Sequence, residues 1–392
     1  LRIHTSGEGR IDGFRRNYLL KRNLGKTGED ISILGLGGFH LLEISDSDAL
    51  QILNTYLDEG GNYIETAAQY GEGESERKVG LVVKERRSEC FLATKCYARN
   101  KEDAGKMIDQ SLRRLNTDYV DLLFYHHVQT YGELDEIFSL KGAVHAFLEA
   151  KEKGKIRYIG ISGHGAPDVL IRALQEHGFD AVMTGINFYD RFNFPDVEEK
   201  LIPLVVDRGI GIVGMKALAD GLLWQYAEES IRYVLTLPIT TIVCGANTRE
   251  MLEKDLRIIR EFEPMSEKER ERLFAKNPVL GNYVCRRCER CLPCPVGVDI
   301  VDVFGCEGMY DRQLRDRTIR TAPEFALRDR LRFWFDNREK AKREYESLAG
   351  KADKCTRCGE CVPKCPYGID IPEKLENAHY KLTREESLMM PI

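Results

Sequence analysis

From Ile31 to about Arg260, short apolar runs alternate with longer amphipathic segments. The runs are ISILGLGG (31–38), NYIET (62–66), CFLATKC (90–96), YVDLLFY (119–125), IRYIGIS (156–162), FDAVMTGI (179–186), GIGIVGM (209–215) and ITTIVCG (239–245). Rich in Val and Ile and too short for helices, they have the pattern of strands buried on both faces. Between them, helical periodicity covers Ser47–Glu59, Lys101–Leu115, Gly142–Lys153, Pro167–His177 and Thr248–Arg260. Eight strand–helix repeats in a span of this length fit a (β/α)8 TIM barrel in count and size. An open doubly wound sheet would show a glycine-rich phosphate loop after its first strand, with an acidic residue about 20 positions on. GLGGFH (35–40) matches that loop poorly and lacks the acidic partner. The expected fold class is therefore α/β, built on the barrel.

The flanks add three elements. Tyr18–Leu20 and Ile31–Ile33 bracket Gly25-Lys26-Thr27-Gly28, a hairpin pattern that would plug the lower mouth of the barrel. Residues 1–16 are polar, lack the apolar core of a signal peptide, and read as an N-terminal arm. After the barrel, Ser266-x-x-Glu269 has the form of a capping box opening one more helix. The expected division is an arm at 1–16, a barrel at 17–283 and a cysteine-rich domain at 284–392.

Composition narrows the class. The 392 residues are 43% hydrophobic and 31% charged, as in an ordinary globular protein. No apolar run is long enough to suggest a transmembrane helix. The net charge of −5 lacks the basic excess expected of a nucleic-acid partner. Of 12 cysteines, Cys90, Cys96 and Cys244 are scattered, and the other nine crowd beyond residue 280. A secreted disulfide scaffold would be short and cysteine-dense throughout. This distribution suggests a cytoplasmic metalloprotein with a dedicated metal-binding end.

That end holds two related motifs. One is Cys285-x2-Cys288-x2-Cys291-x2-Cys294-Pro295, the other Cys355-x2-Cys358-x2-Cys361-x3-Cys365-Pro366. Three thiolates at three-residue steps let one loop wrap three corners of an iron–sulfur cube, and the fourth cysteine, followed by proline, ligates the other cluster in two-cluster ferredoxins. One [4Fe–4S] cluster is thus assigned to Cys285, Cys288, Cys291 and Cys365, the second to Cys355, Cys358, Cys361 and Cys294. Zinc ribbons use separated C-x2-C pairs and need no third cysteine in step. The tails CPVGVDI (294–300) and CPYGIDI (365–371) form an internal repeat. Leu327, Leu331, Trp334 and Phe335 share one helical face in the long spacer, so the domain is expected to be an α-helical, ferredoxin-like unit. Cys306, inside the spacer, reads as a packed thiol. Arg286, Arg287, Arg290, Lys354, Arg357 and Lys364 beside the loops form a solvated face or a patch for an acidic redox partner.

In the barrel, Glu65, Tyr70, Lys95 and His126 stand at or just after the C-terminal ends of successive runs, where barrel enzymes keep their active sites. With them, GGNYIETAAQYGEGESERKVG (60–80), FLATKC (91–96), DYVDLLFYHHV (118–128), GKIRYIGISGHG (154–165), GMKALADGLL (214–223) and CGANTREMLEKDL (244–256) resemble the aldo-keto reductase superfamily, over about residues 17–262. Its iron–sulfur-containing members have the same order of barrel and ferredoxin-like tail. The resemblance implies nicotinamide-dependent reduction of a small carbonyl substrate. It also implies a tetrad of Asp, Tyr, Lys and His, with Glu65 here in place of Asp. Tyr70 would be the general acid, its pKa lowered by the Lys95 ammonium. Glu65 would hold Lys95, and His126, or its neighbour His127, would orient the carbonyl.

For the dinucleotide, the resemblance points to Ser162, Lys216, Gly245, Asn247, Thr248 and Arg249, the last four where a helix N-terminus could receive a phosphate. Lys216 could instead cap its loop, and Asn187 is expected to bond backbone. Gly163, Met183, Met215, Lys254 and Asp255 depart from the family pattern at the nicotinamide and adenine sites. NADP and NAD both stay open. So does the role of the clusters, as electron relay or structural support, with a ferredoxin or flavoprotein as redox partner. The competing reading is a non-catalytic electron-transfer or redox-sensing subunit whose barrel has lost turnover.

Overall fold

The computed structural model describes residues 19–164, 167–221, 223–277, 280–311 and 338–384. The expected arm at 1–16 and the face formed by Leu327, Leu331, Trp334 and Phe335 lie outside these residues. The chain groups into two compact units. Among the described residues, one comprises those of 19–187, 196–217 and 227–265; the other comprises those of 188–195, 218–226 and 266–384.

The first unit is the barrel. A two-stranded antiparallel hairpin, β1 (Lys21–Asn23) and β2 (Asp30–Ser32), precedes it. Then β3 (Leu34–Gly37), β4 (Tyr63–Glu65), β5 (Phe91–Cys96), β6 (Val120–Tyr125), β7 (Ile156–Gly163), β8 (Ala181–Gly185), β9 (Gly211–Met215) and β10 (Thr241–Gly245) run parallel in sequence order, and β10 closes on β3. Helices α1 (Asp46–Asp58), α2 (Glu74–Arg86), α3 (Lys101–Arg114), α4 (Tyr131–Ile137), α5 (Val144–Glu152) and α6 (Pro167–Glu176) follow β3 to β7. The unit continues with α8 (Ile202–Arg208), α9 (Ala227–Thr236) and α10 (Arg249–Arg260), while the short α7 (Asp190–Asn193) belongs to the second unit. As expected of buried parallel strands, every residue of β5 and β6 is buried.

The hairpin corrects the sequence reading. Its first strand is Lys21–Asn23 rather than Tyr18–Leu20, and the run at 31–38 divides between β2 and β3. The cause is packing: Leu24 and Ile31, both at 0% exposure, join Tyr63, Phe91, Leu122, Phe124, Met183 and Val213 in the barrel core. Placing Leu24 there sets the turn, closed by Leu24 N–H donating to the Glu29 carbonyl at 2.9 Å. Gly25 follows with φ +54°, and a Cβ on it would lie 2.4 Å from the Gly209 carbonyl oxygen. Only glycine meets both demands without strain.

In the second unit, α11 (Glu267–Lys276) opens with the expected capping box of Ser266 and Glu269. Helices α12 (Ile300–Asp311), α13 (Arg338–Ser347) and α14 (Ile371–Thr383) complete its described helical part. Cys306, on α12, is 3% exposed, and burial pushes its thiol up to about 12. Among the described residues no helix is long and apolar enough to cross a membrane.

Candidate active site and cluster sites

Strand ends supply three of the four barrel residues. Glu65 closes β4, Lys95 is the penultimate residue of β5, and His126 follows β6 directly. Tyr70 opens a short 3-10 turn in the loop after β4. Parallel register pairs Glu65 with Ala93. Lys95, two residues further on, therefore shares a face with it.

The structure brings all four together. Exposure is 1% for Lys95 and His126, 2% for Glu65 and 8% for Tyr70. Lys95 is ion-paired with Glu65. Its Nζ also donates to Tyr70 Oη and to the Thr66 carbonyl, each at 3.0 Å. His126 stands edge-on to Tyr70, with ring centroids 5.9 Å apart. Phe39 makes a second edge contact with Tyr70 at 5.1 Å. Among the described residues neither ring nitrogen of His126 has a hydrogen-bond partner. Buried polar atoms are normally satisfied, so these nitrogens mark where a bound polar group fits.

Burial pushes the Tyr70 phenol above its ordinary range and pulls the Lys95 ammonium well below its own. The expected lowering of the phenol by Lys95 is therefore not seen. Glu65 neutralises the ammonium, so Tyr70 faces a dipole rather than a net positive charge, and desolvation dominates. Burial, reinforced by Lys95, His127 and Arg99, also pulls His126 well below the ordinary histidine range. The imidazole is held neutral, leaving one nitrogen able to donate and the other able to accept.

His164 is a site residue that the sequence reading missed. It is 4% exposed, lies 5.0 Å ring to ring from His127, and is held neutral by burial and by Lys216, His127, His126 and Lys95. Its loop is fixed by Gln129, whose amide accepts from His164 N–H at 2.9 Å and donates to its carbonyl at 2.7 Å. The available signal was the Gly163 departure immediately after Ser162, which His164 follows.

The dinucleotide candidates are already engaged. Ser162 Oγ donates to the Tyr125 carbonyl at 3.2 Å and accepts from His127 N–H at 3.1 Å. Lys216 follows β9 with φ +60°, and Asn187 Nδ2 donates to its carbonyl at 3.1 Å, the backbone role expected for Asn187. Gly245 ends β10 against His40, where a Cβ would lie 2.2 Å from the imidazole. Asn247 Nδ2 donates to Glu43 at 2.7 Å, Thr248 Oγ1 caps α10 by accepting from Met251 N–H at 3.2 Å, and Arg249 Nε donates to Glu253 at 2.7 Å. The Arg249–Glu253 pair is half-exposed on both sides. Such pairs contribute about 0–1 kcal/mol and yield readily to a phosphate. The residues thus fit a dinucleotide phosphate at the α10 N-terminus. Met183 and Met215 are buried in the barrel core.

In the second unit the two cysteine loops repeat one backbone geometry. Arg287 and Arg357 both have positive φ, +52° and +57°, and each donates its N–H at 3.4 Å to the first cysteine of its loop, Cys285 or Cys355. Gly297 and Gly368, at φ +72° and +67°, close matching turns on the carbonyls of Cys294 and Cys365. Cys294, Cys355, Cys358 and Cys361 line one cavity, which Cys291 also reaches. Burial, then the charges of Cys355, Cys358 and Cys294, raises the Cys361 thiol. On the other side, Arg286 interacts with Cys285, Cys365 and Cys288, and Cys291 with Cys285 and Cys288. Cys294 thus lies with the triple of the second motif, while Cys365 shares Arg286 as a charged neighbour with Cys285 and Cys288, and Cys291 is also coupled to Cys361. Among the described residues no three of these side chains converge closely enough to hold a single metal ion, but thiols gathered in this way, with peptide N–H groups aimed at sulfur, suit the wider iron–sulfur cluster.

Comparison with known proteins agrees. Residues 33–236, just over half of the chain, match the Aldo/keto reductase family, and residues 284–370 match a 4Fe-4S dicluster domain. The chain is 33% identical over 230 residues to the uncharacterized oxidoreductase YqkF of Bacillus subtilis, covering 54% of this chain and 70% of that protein. It is 31% identical over 218 residues to L-galactose dehydrogenase of Arabidopsis thaliana, covering 52% and 67%. The solved aldo-keto reductase AKR11C1 from Bacillus halodurans, in its holo form, superposes with a TM-score of 0.57 at 27% identity, over 65% of this chain and 95% of that one. A closed eight-stranded barrel with this family signature, followed by a paired-cluster motif, makes the chain a member of the aldo/keto reductase family of oxidoreductases that carries a C-terminal 4Fe-4S dicluster domain.

Proposed function

We propose that the barrel reduces a small carbonyl substrate, with Tyr70 as the proton donor. The observation that carries this reading is the Glu65–Lys95–Tyr70 chain, in which the buried Lys95 Nζ, held by Glu65, donates to the phenol oxygen at 3.0 Å. A phenol kept protonated by burial holds its proton until a substrate oxygen becomes basic. As the proton leaves Tyr70 Oη, the Lys95 hydrogen bond stabilises the forming phenolate. Glu65 keeps Lys95 in place, and the neutral His126 donates from one nitrogen to the substrate oxygen, orienting the carbonyl. A reduced nicotinamide supplies the hydride to the carbonyl carbon when bound. Ser162 and Lys216 would hold its amide end, and Gly245, Asn247, Thr248 and Arg249 a phosphate, with NADP and NAD both compatible.

In the second unit we assign Cys285, Cys288, Cys291 and Cys365 to one [4Fe–4S] cluster and Cys294, Cys355, Cys358 and Cys361 to the other. Such clusters store single electrons, whereas hydride transfer moves two. Their part is either structural support or exchange with a one-electron partner such as a ferredoxin or flavoprotein.

One observation favours a second reading, a redox subunit without turnover. Ser162 and Asn247 are both engaged within the protein. The test is anaerobic assay of the iron-loaded chain with NADPH or NADH and simple aldehydes. Activity that falls by about 10²–10⁴-fold in Tyr70→Phe supports the enzyme. Failure of either dinucleotide to bind in a fluorescence titration supports the second reading.

A further inference from the structure

The cluster loops carry an internal comparison. Residues 285–291 correspond to 355–361, and the segment from Cys294 into α12 corresponds to that from Cys365 into α14. The backbone repeats, but the charge around it does not.

Arg286 is 9% exposed, donates to the Val284 carbonyl at 2.6 Å and lies 4.6 Å from the Tyr367 ring centroid. At the matching positions the other repeat has Thr356 and Val296. Glu307, on α12, is 1% exposed; it is ion-paired with Lys374 of α14 and accepts from Lys381 Nζ at 2.9 Å and Tyr283 Oη at 3.1 Å. Lys374 Nζ lies 3.6 Å from the Tyr283 ring centroid, and Cys285, Lys374, Glu307 and Tyr283 line one cavity. One carboxylate between two ammonium groups leaves this buried group net positive. The positions matching Lys374 and Glu307 are Val303 and Ala378, both at 0% exposure. In and beside the loops the charges are equal in number, Arg286, Arg287 and Arg290 with Glu289 at one site and Lys354, Arg357 and Lys364 with Glu360 at the other, but of these cations only Arg286 is buried. Arg287 and Arg357 are alike in being ion-paired, with Asp302 and Glu376.

We propose that Arg286 and Lys374 make the two cluster sites unequal, so that the site of Cys285, Cys288, Cys291 and Cys365 is reduced at the higher potential. Reduction adds one negative charge to a cluster, and a fixed buried cation stabilises that charge. Burial of the cluster itself acts the opposite way. The two sites differ little in burial. Cys288 and Cys358 are both exposed, Cys285, Cys355, Cys294 and Cys365 are all intermediate, and only Cys291 is more buried than its counterpart Cys361. Buried charge differs, Arg286 and Lys374 having Thr356 and Val303 as their counterparts, and therefore sets the order. A domain that holds a single electron keeps it at the Arg286 side.

This inference rests on the ligand assignment proposed above, so the two are tested separately. About eight irons per anaerobically purified chain and the spectra of two [4Fe–4S] clusters test the assignment. Dithionite then supplies electrons one at a time in a potentiometric titration followed by electron paramagnetic resonance. Two waves are expected. Lys374→Val and Arg286→Thr, each installing the residue of the other repeat, lower the upper wave and leave the lower one in place, while Arg286→Lys retains the wild-type value. A single wild-type wave overturns the proposal, as does an iron-replete variant in which only the lower wave moves or neither does. If Lys374→Val loses iron, Arg286→Thr and the wild-type titration decide.

Discussion

At the residue scale, the barrel site depends on one buried ion pair. Removing one partner of such a pair strands a charge and costs about 3–5 kcal/mol, whereas replacing both by apolar groups is often nearly neutral. Glu65→Gln should therefore destabilise the barrel by several times more than Glu65→Leu combined with Lys95→Met, as read by urea denaturation of the two variants. A second residue sets a pH dependence. Asp255, on α10 beside Cys244, is pushed up to about 7 by burial, with Lys254 partly opposing. Its carboxyl ionises near pH 4 in an unfolded chain. The folded protein thus holds this proton more tightly, and the resulting stability is present in full below about pH 4 and lost as pH rises through about 7. Asp255→Asn should match wild type in acid and exceed it at pH 8 by on the order of 2 kcal/mol, after discounting for partial exposure. Equal denaturation midpoints for the two proteins at pH 8 would refute the buried-carboxyl account.

At the element scale, two local devices are testable. Gly25→Ala forces a side chain into a left-handed turn and against the Gly209 carbonyl, and should destabilise the barrel by about 1–3 kcal/mol in thermal or urea unfolding. Ser266→Ala removes the hydroxyl that accepts from Glu269 N–H at 3.3 Å, and should cost about 1 kcal/mol in the unit that contains α11. These elements also show what the sequence makes legible. The barrel strands are readable because burial on both faces writes an unbroken apolar run into each. The first hairpin strand is misplaced by three residues because its register is set by where Leu24 meets the core, a contact made across the chain. Helix α2 escapes the pattern because Gly80 interrupts it. That glycine is required where α2 approaches the end of α3, since a Cβ there would lie 2.2 Å from the Arg114 carbonyl.

At the scale of the whole molecule, the cysteine motifs are legible for a local reason: three ligands of a cluster come from one loop. The tetrad is legible because barrel strand ends are read directly off the runs. His164 is not, because its neighbours His127 and Lys216 reach it from other strands. The membership of 188–195 and 218–226 in the unit with the cysteine loops is likewise invisible to local pattern. The pKa direction of Tyr70 also eluded the sequence, since the charge pairing of Lys95 and the burial of the phenol compete and only the folded geometry shows which prevails.

The central claim is that the barrel passes hydride from a nicotinamide to a carbonyl carbon while Tyr70 supplies the proton. Its most direct test is isotope transfer. The iron-loaded chain is incubated without oxygen with an aldehyde and either NADPH or NADH carrying deuterium at the transferable position of the nicotinamide, and the alcohol is analysed by mass spectrometry and NMR. The account predicts one deuterium on the former carbonyl carbon with wild-type protein and near loss of that product with Tyr70→Phe. Alcohol formed without deuterium, or labelled alcohol formed equally well by Tyr70→Phe, would contradict it.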